Sequence, residues 1–212
     1  MSFYTVYTFL MRFIIGVDEA GRGPLAGPVS VGVVMVAEGF DVSQEFPGVK
    51  DSKKLTEKKR EEIFEMLEAR VAKGDARFVV ELESADAIDR EGIAVVIRRA
   101  VARGVDRLAE PVGHPVSNFG WTPDVHILLD GSLGAPAEYS QETIIHGDAL
   151  MPIISLASIA AKVTRDRLMM VLAQKYPQYG FGVHKGYGTR AHYEALREHG
   201  LCAIHRRSFV HL

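Results

Sequence analysis

Cysteine is almost missing from this 212-residue chain. The single Cys202 excludes an intrachain disulfide and cannot build a cysteine-rich zinc site, so a reducing cytoplasm is the expected setting and Cys202 is expected to pack rather than react. A membrane-spanning run is missing too. The apolar stretch at residues 3–15 is too short to cross a bilayer and lacks the basic leader and small-residue cleavage site of a secretory signal, so a protein without a membrane partner is expected. No repeat or low-complexity tract interrupts the sequence. Strong net charge is also lacking: at −2, the chain as a whole argues against a non-specific coat for nucleic acid.

What is present is enough apolar material, 47% of residues, to fill one sizeable core. Charge is unevenly spread. Residues 151–212 hold nine Lys and Arg against three acids, and the first 150 hold sixteen against twenty-four. A second basic cluster, Lys50, Lys53, Lys54, Lys58, Lys59 and Arg60, faces only Asp51 and Glu57 within the same stretch. Such asymmetry allows a basic patch for phosphates on an acidic whole, although a solvated helix face is the commoner meaning of a charge run.

Short β-branched segments at 13–17 and 29–36 read as neighbouring strands, and the Gly/Pro-rich link between them is too short for a crossover, so they should run antiparallel. Thr56 can cap a helix with Ile63, Met66, Leu67 and Val71 on one face, stopped by Gly74. Residues 78–82 read as a third strand. Ser84 or Asp86 opens one further helix ending near Gly104, and residues 109–124, with three prolines and no periodicity, read as a surface loop. Strands at 125–129 and 142–145, a long helix at 152–175 halted by Pro177, and a shorter one at 191–199 stopped by Gly200 complete the pattern. Alternating strands and helices predict an α/β fold, a central mixed sheet with helices packed on it. Residues 1–12 read as an N-terminal extension before a single domain at 13–212.

Acids cluster at the ends of these segments. Asp18 and Glu19 close the first strand beside Gly21-Arg22-Gly23, Asp130 closes the strand at 125–129, and Asp148 follows the strand at 142–145. Strand ends of one sheet can converge, and carboxylate oxygens suit a hard divalent cation such as Mg²⁺ or Mn²⁺. A lone acid at a strand end is as often a turn or helix cap. Adjacent residues of a regular strand point to opposite faces, so Asp18 and Glu19 can share a metal only if the strand loosens, which Gly21 and Gly23 would permit. His184, His192, His199 and His205 show no familiar zinc spacing. Arg165 and Asp166 could pair locally or support the acids, and Ser158 could reach a substrate or satisfy itself.

Six segments in order, GVDEAGRGPLAGPV from Gly16, GVKDSKKLT from Gly48, LLDG from Leu128, ASIAAKVTRDR from Ala157, YPQYGFGVHKGYGT from Tyr176 and HRRSF from His205, resemble ribonuclease HII over nearly the whole chain. The resemblance implies a ribonuclease H-like fold of about five strands with a C-terminal helical region. It also implies two-metal hydrolysis of RNA paired with DNA, with cutting 5′ of single ribonucleotides embedded in duplex DNA to leave 5′-phosphate and 3′-hydroxyl ends. By this resemblance the metal-site carboxylates, and with them catalysis, fall on Asp18, Glu19, Asp130 and Asp148. The reader of the ribose 2′-hydroxyl falls on Gly21, Arg22 and Gly23, and the junction-sensing tyrosine on Tyr187.

Lys53, Lys54, Lys162, Arg165 and Lys185 are expected phosphate contacts, because counterion release dominates duplex binding. The expected partners are an RNA-DNA hybrid or DNA containing ribonucleotides, and the expected state is a cytoplasmic monomer serving ribonucleotide removal. A catalytically silent hybrid-binding module is the alternative; it would need the basic patch and Tyr187 but not four acids.

Overall fold

The β-branched runs after Arg12 and Pro28 form β1 (Phe13–Ala20) and β2 (Val29–Ala37), which pair antiparallel from Phe13↔Ala37 to Ala20↔Ser30. The computed structural model describes residues 12–49, 52–109, 114–116, 120–122 and 125–211, with the backbone alone at Lys53 and within 114–116 and 120–122. The reading of residues 1–12 as an extension therefore lies, but for Arg12, outside the described residues.

Beside β1 and β2 stand β3 (Ala76–Glu83), β6 (Val125–Asp130) and β7 (Ser140–Ile144) in the order β3-β2-β1-β6-β7; β3 is antiparallel to β2, while β1, β6 and β7 run parallel. This is the mixed α/β sheet that the sequence predicts. Helices cover both faces. On one side, α3 (Ala85–Glu91) and α4 (Ile93–Ala109) lie in a core with Ile15, Val17, Val31, Val33 and Met35. On the other, α2 (Glu57–Lys73) and α6 (Pro152–Lys175) pack on Val34, Val36 and Leu128. The alternation of odd and even positions between the two cores is the pleat of the strands expressed as burial.

Two glycines set the distance between sheet and α6. A Cβ on Gly16 would meet the Ile153 carbonyl oxygen at 2.5 Å, and one on Gly32 would meet that of Ala157 at 2.1 Å. The helix backbone therefore rests directly on the strands, and Gly32 is the register partner of Asp18. Beyond the sheet, α7 (Phe181–His184) and α8 (Arg190–His199) gather around Tyr179, Phe181 and Leu196, against Leu25, Ala26 and Met169.

Thr56, Ser84 and Thr189 each cap a helix by accepting a backbone N–H, and Gly74 closes α2 in the left-handed conformation. Two expectations need correction. The helix expected to end near Gly104 is two helices, broken at Gly92 (φ 85°), and α4 continues through Gly104 to bury Val105, Leu108 and Ala109; glycine fits at 104 because a Cβ there would meet Val33 Cγ2 at 2.6 Å. Within 109–124, β4 (His114–Val116) and β5 (Gly120–Thr122) form an antiparallel pair too short to show a sequence period; 110–113, 117–119 and 123–124 lie outside the described residues. Single-turn helices α1 (Val42–Glu45) and α5 (Gly147–Leu150) were likewise too short to read from sequence. Among the described residues no helix is long and apolar enough to cross a membrane.

Candidate active site

Parallel pairing of β1 with β6 runs to Val17↔Leu129, so Asp18 and Asp130 are the next residues on adjacent strands at the same sheet end. β7, parallel to β6, ends at Ile144; the chain then turns through His146 (φ 57°) into α5, whose first turn presents Asp148. The Asp148 amide donates to Asp130 Oδ1 at 3.3 Å. The turn closes tightly on α6: a Cβ on Gly147 would meet the terminal methyl of Ile154 at 2.6 Å. Carboxylate oxygens of Asp18, Asp130 and Asp148 all lie within 4.8 Å of one another, a group able to hold a metal ion.

Asp18 and Asp148 are buried and Asp130 is half-buried. Burial, reinforced by the charges of Glu19 and Asp130, pushes the Asp18 carboxyl up to about 8 against the opposing hydrogen bond from Ser158. Ser158, on α6, lies 2.8 Å from Ser52 Oγ. With Ser158 donating to Asp18, the Ser52 hydroxyl is left as the donor to Ser158. Ser52 begins the 3₁₀ turn Ser52–Lys54, and Arg60 Nη1 donates to its carbonyl at 2.9 Å.

Glu19 stands apart from the three-acid group. The strand does not loosen: β1 keeps its register to Ala20, strand alternation separates the two acids, and Glu19 Oε1 pairs with Arg22 Nε at 3.2 Å. Gly21 (φ 85°) turns the chain out of the strand, and Arg22 and Gly23 are exposed.

Of the expected phosphate contacts, Lys54 is exposed beside the acids' Ser52 anchor, and the Lys53 side chain lies outside the described residues. Lys162 is half-buried and pairs with Asp166 at 2.7 Å, so it, and not Arg165, is the partner of that acid. Lys185 Nζ donates to the Gly182 carbonyl at 2.6 Å. Arg165 must be corrected. It is fully buried, where no phosphate reaches it, and donates to the carbonyls of Pro28 (2.8 Å), Lys185 (3.0 Å) and Ala26 (3.1 Å). Tyr187 is 43% exposed, its ring centroid 6.0 Å from Arg165 Cζ.

The histidines also gain a place. His192 Nε2 lies 3.0 Å from His205 Nε2, and Cys202 N–H donates to His205 Nδ1 at 2.9 Å. An accepting Nδ1 leaves the proton of neutral His205 on Nε2, so His192 accepts there and carries its own proton on Nδ1, 2.9 Å from the Tyr187 carbonyl. Burial, then the neighbouring His192, pulls His205 down to about 4. Sequence reading assigned no role to Ser52 or to Arg206, and left the histidines among substrate contact, loop bonding and surface; for this pair it is loop bonding. The signal was present for Ser52, Arg206 and His205, which sit inside motifs that carry the family resemblance, but not for His192.

The comparisons agree along the chain. The family model described as Ribonuclease HII matches residues 15–212. A ribonuclease HII of Geobacillus kaustophilus is 42% identical over 206 residues, 97% of this chain and 71% of the relative. One of Burkholderia lata is 43% identical over 199 residues, 94% of this chain and 84% of the relative. Among solved structures, the ribonuclease H2 of Pyrococcus horikoshii has a TM-score of 0.67 at 28% identity, covering 92% of this chain and 93% of that one. With a five-stranded mixed sheet of the ribonuclease H type carrying three converging aspartates, and with this similarity over almost its full length, the chain belongs to the ribonuclease HII family of type 2 ribonuclease H endoribonucleases.

Proposed function

We propose that this protein is a divalent-metal-dependent endoribonuclease that hydrolyses the RNA strand of RNA-DNA hybrids and cuts 5′ of single ribonucleotides in duplex DNA, leaving 5′-phosphate and 3′-hydroxyl ends. One observation carries the reading: three aspartates from separate segments bring oxygens within 4.8 Å of one another at the parallel end of the sheet.

The donor set fits a hard cation. Asp18 is held near neutrality in the absence of one, its carboxyl pushed up to about 8 by burial and by neighbouring acids, so a dication would favour the charged state that crowding opposes. Asp18, Asp130 and Asp148 would hold Mg²⁺ or Mn²⁺, and Glu19 would join by releasing Arg22. The chemistry supplied by two such ions when bound is activation of a water and relief of charge on the phosphate and the leaving 3′-oxygen.

The chain's own residues do the rest. Ser158 donates to Asp18 and favours its ionised form. Outward N–H groups at Arg22 and Gly23 reach the ribose 2′-hydroxyl, which distinguishes RNA from DNA, and Gly23 offers no Cβ to obstruct it. Tyr187, partly exposed, stacks on the neighbouring sugar and senses a following deoxynucleotide. Lys54, Lys162 and Lys185, with Lys53, supply positive charge for the phosphates. The acting unit is residues 13–212, a cytoplasmic monomer serving ribonucleotide removal from DNA.

The test is incubation with duplex DNA containing one ribonucleotide, in Mg²⁺, Mn²⁺ or chelator, with the cut mapped. A single cut on the 5′ side of the ribonucleotide, abolished by chelator, is expected. Binding without cleavage under all three conditions would establish the silent module instead.

A further inference from the structure

Arg206 lies in the C-terminal HRRSF segment, yet its guanidinium is buried beneath the loop that leaves β1. Nη2 donates to the Gly21 carbonyl at 2.7 Å, Nη1 to that of Arg22 at 2.9 Å and Nε to that of Gly27 at 3.0 Å. A trans peptide is planar, so the C=O of one residue and the N–H of the next point in opposite directions. Holding the Gly21 and Arg22 carbonyls inward therefore turns the N–H groups of Arg22 and Gly23 outward, and both residues are exposed.

We infer that Arg206 is a positioning residue for 2′-hydroxyl recognition: from inside the protein, it aims the two backbone donors that a ribose would meet. The inference rests on the proposed role of Gly21, Arg22 and Gly23 as the 2′-hydroxyl reader.

Several features make this fork more than a packing contact. Arginine presents its donors in a rigid planar array, so one side chain fixes several carbonyls at once, which a lysine ammonium cannot reproduce. Arg165 repeats the device alongside, joining Ala26 and Pro28 of the same loop to Lys185, two residues before Tyr187. Backbone bonds complete the unit, from Leu25 N–H to Gly186 O (2.8 Å), Gly27 N–H to Ile204 O (2.8 Å) and Arg206 N–H to Leu25 O (2.8 Å). The C-terminal segment is tied down in turn by Asp89, which accepts from the backbone N–H groups of Arg207 and Ser208. Burying two guanidiniums side by side is unfavourable in itself, and aiming the reader is what their retention provides.

The experiment compares wild type, Arg206→Lys and Asp89→Ala. For each, binding to a duplex with one ribonucleotide is measured against the all-deoxy duplex in Ca²⁺, turnover in Mg²⁺, and thermal midpoint. Arg206→Lys should keep its affinity for the all-deoxy duplex, lose the preference for ribose and lose about a hundredfold in kcat, the scale of an ångström-level misplacement. Asp89→Ala, which loosens the segment and removes a nearby carboxylate charge but none of the guanidinium's own hydrogen bonds, should shift the preference the same way by less; it decides the matter if Arg206→Lys does not fold. A wild-type preference retained by the folded variants, with activity tracking only the folded fraction, overturns the assignment of Arg206 alone. A wild type with no preference for ribose overturns the underlying reader and this inference with it.

Discussion

Ser52 Oγ lies 2.8 Å from Ser158 Oγ, and Ser158 in turn donates to the carboxylate of Asp18. The chain of hydroxyls links the lysine-bearing turn before α2 to the acid whose ionisation matters most. Loss of a hydrogen bond to a charged group is worth about 1.5–3 kcal/mol. Ser158→Ala should therefore lift the Asp18 carboxyl further and move the acid limb of the pH–rate profile upward by about one pH unit. Ser52→Ala, one bond removed, should shift it by less. An unchanged profile in Ser158→Ala would detach this hydroxyl from the acid's ionisation.

Asp18→Asn should lower turnover by roughly a thousandfold, as loss of a preorganised electrostatic group does. Its stability effect has a definite sign. Asp18 titrates near 8 when folded and near its ordinary value of 3.8 when the chain is unfolded, so the folded form holds the extra proton between these values. That stabilising contribution is complete below about 3.8 and lost as pH rises through about 8. In chelator, the melting midpoint of Asp18→Asn should therefore gain on wild type by several degrees between pH 5 and 8, at about 2–4 °C per kcal/mol. Adding Mg²⁺ should narrow the gap by stabilising the ionised wild type. A gap independent of pH would contradict the raised carboxyl.

Gly32 and Gly23 separate structural from substrate-facing glycine. A Cβ at Gly32 would lie 2.1 Å from the Ala157 carbonyl oxygen, whereas at Gly23 it would meet nothing within 4 Å. Gly32→Ala should cost about 2–3 kcal/mol through overpacking, read by denaturant unfolding. Gly23→Ala should change stability by no more than about 0.5 kcal/mol, yet reduce cleavage at a single ribonucleotide about tenfold or more, because the methyl stands where the ribose would approach. Equal stability losses in both would remove the substrate role of Gly23.

These contrasts also mark what the sequence could disclose. The strands and long helices were legible because burial on one face imposes a period, as in α4, because burial on both faces leaves a continuous β-branched run, as in β2, and because Thr56, Ser84 and Gly74 are chemical punctuation. Asp18 and Asp130 were legible as strand-end acids. Glu19 illustrates the limit: strand alternation argues against a metal shared by adjacent acids, so its proposed place in the site was legible only through the family resemblance, and the unbroken β register sets its side chain beside Arg22. Arg165 illustrates another, since a basic residue on a helix rich in motif residues reads as a phosphate ligand until burial shows it bonding carbonyls, and Arg206, given no role by the sequence, proves to do the same. Gly104 reads as a stop for the same reason, because a close approach to Val33 has no signature along the chain.

Tyr187→Ala should reduce cleavage at a ribonucleotide followed by DNA more than cleavage within an RNA tract, with the melting midpoint nearly unchanged, because the ring is 43% exposed. Paired kinetics on the two substrates check this. Equal losses on both, together with a fall in midpoint, would assign the ring to packing.

The loop that carries Tyr187 has an acid-sensitive support. His205 Nε2–H donates to His192 Nε2, and His192 Nδ1–H to the Tyr187 carbonyl, an order that requires both rings to be neutral. Protonating His192 would set N–H against N–H across 3.0 Å, with the ring of His184 stacked 4.5 Å away. His205 is pulled to about 4 from an ordinary 6.5 by burial, so the unfolded chain binds the extra proton between these values. This contribution is therefore complete above about 6.5 and lost as pH falls through about 4, the reverse of Asp18. Below pH 6, the protection factors of the Tyr187 and Thr189 amides, taken against the intrinsic exchange rate at each pH, should fall before those of β1, and His205→Gln should flatten the acid limb of the stability curve while lowering its plateau. Protection lost equally at β1 and at the loop would show that acid opens the whole protein, leaving the histidine pair no local part in holding Tyr187.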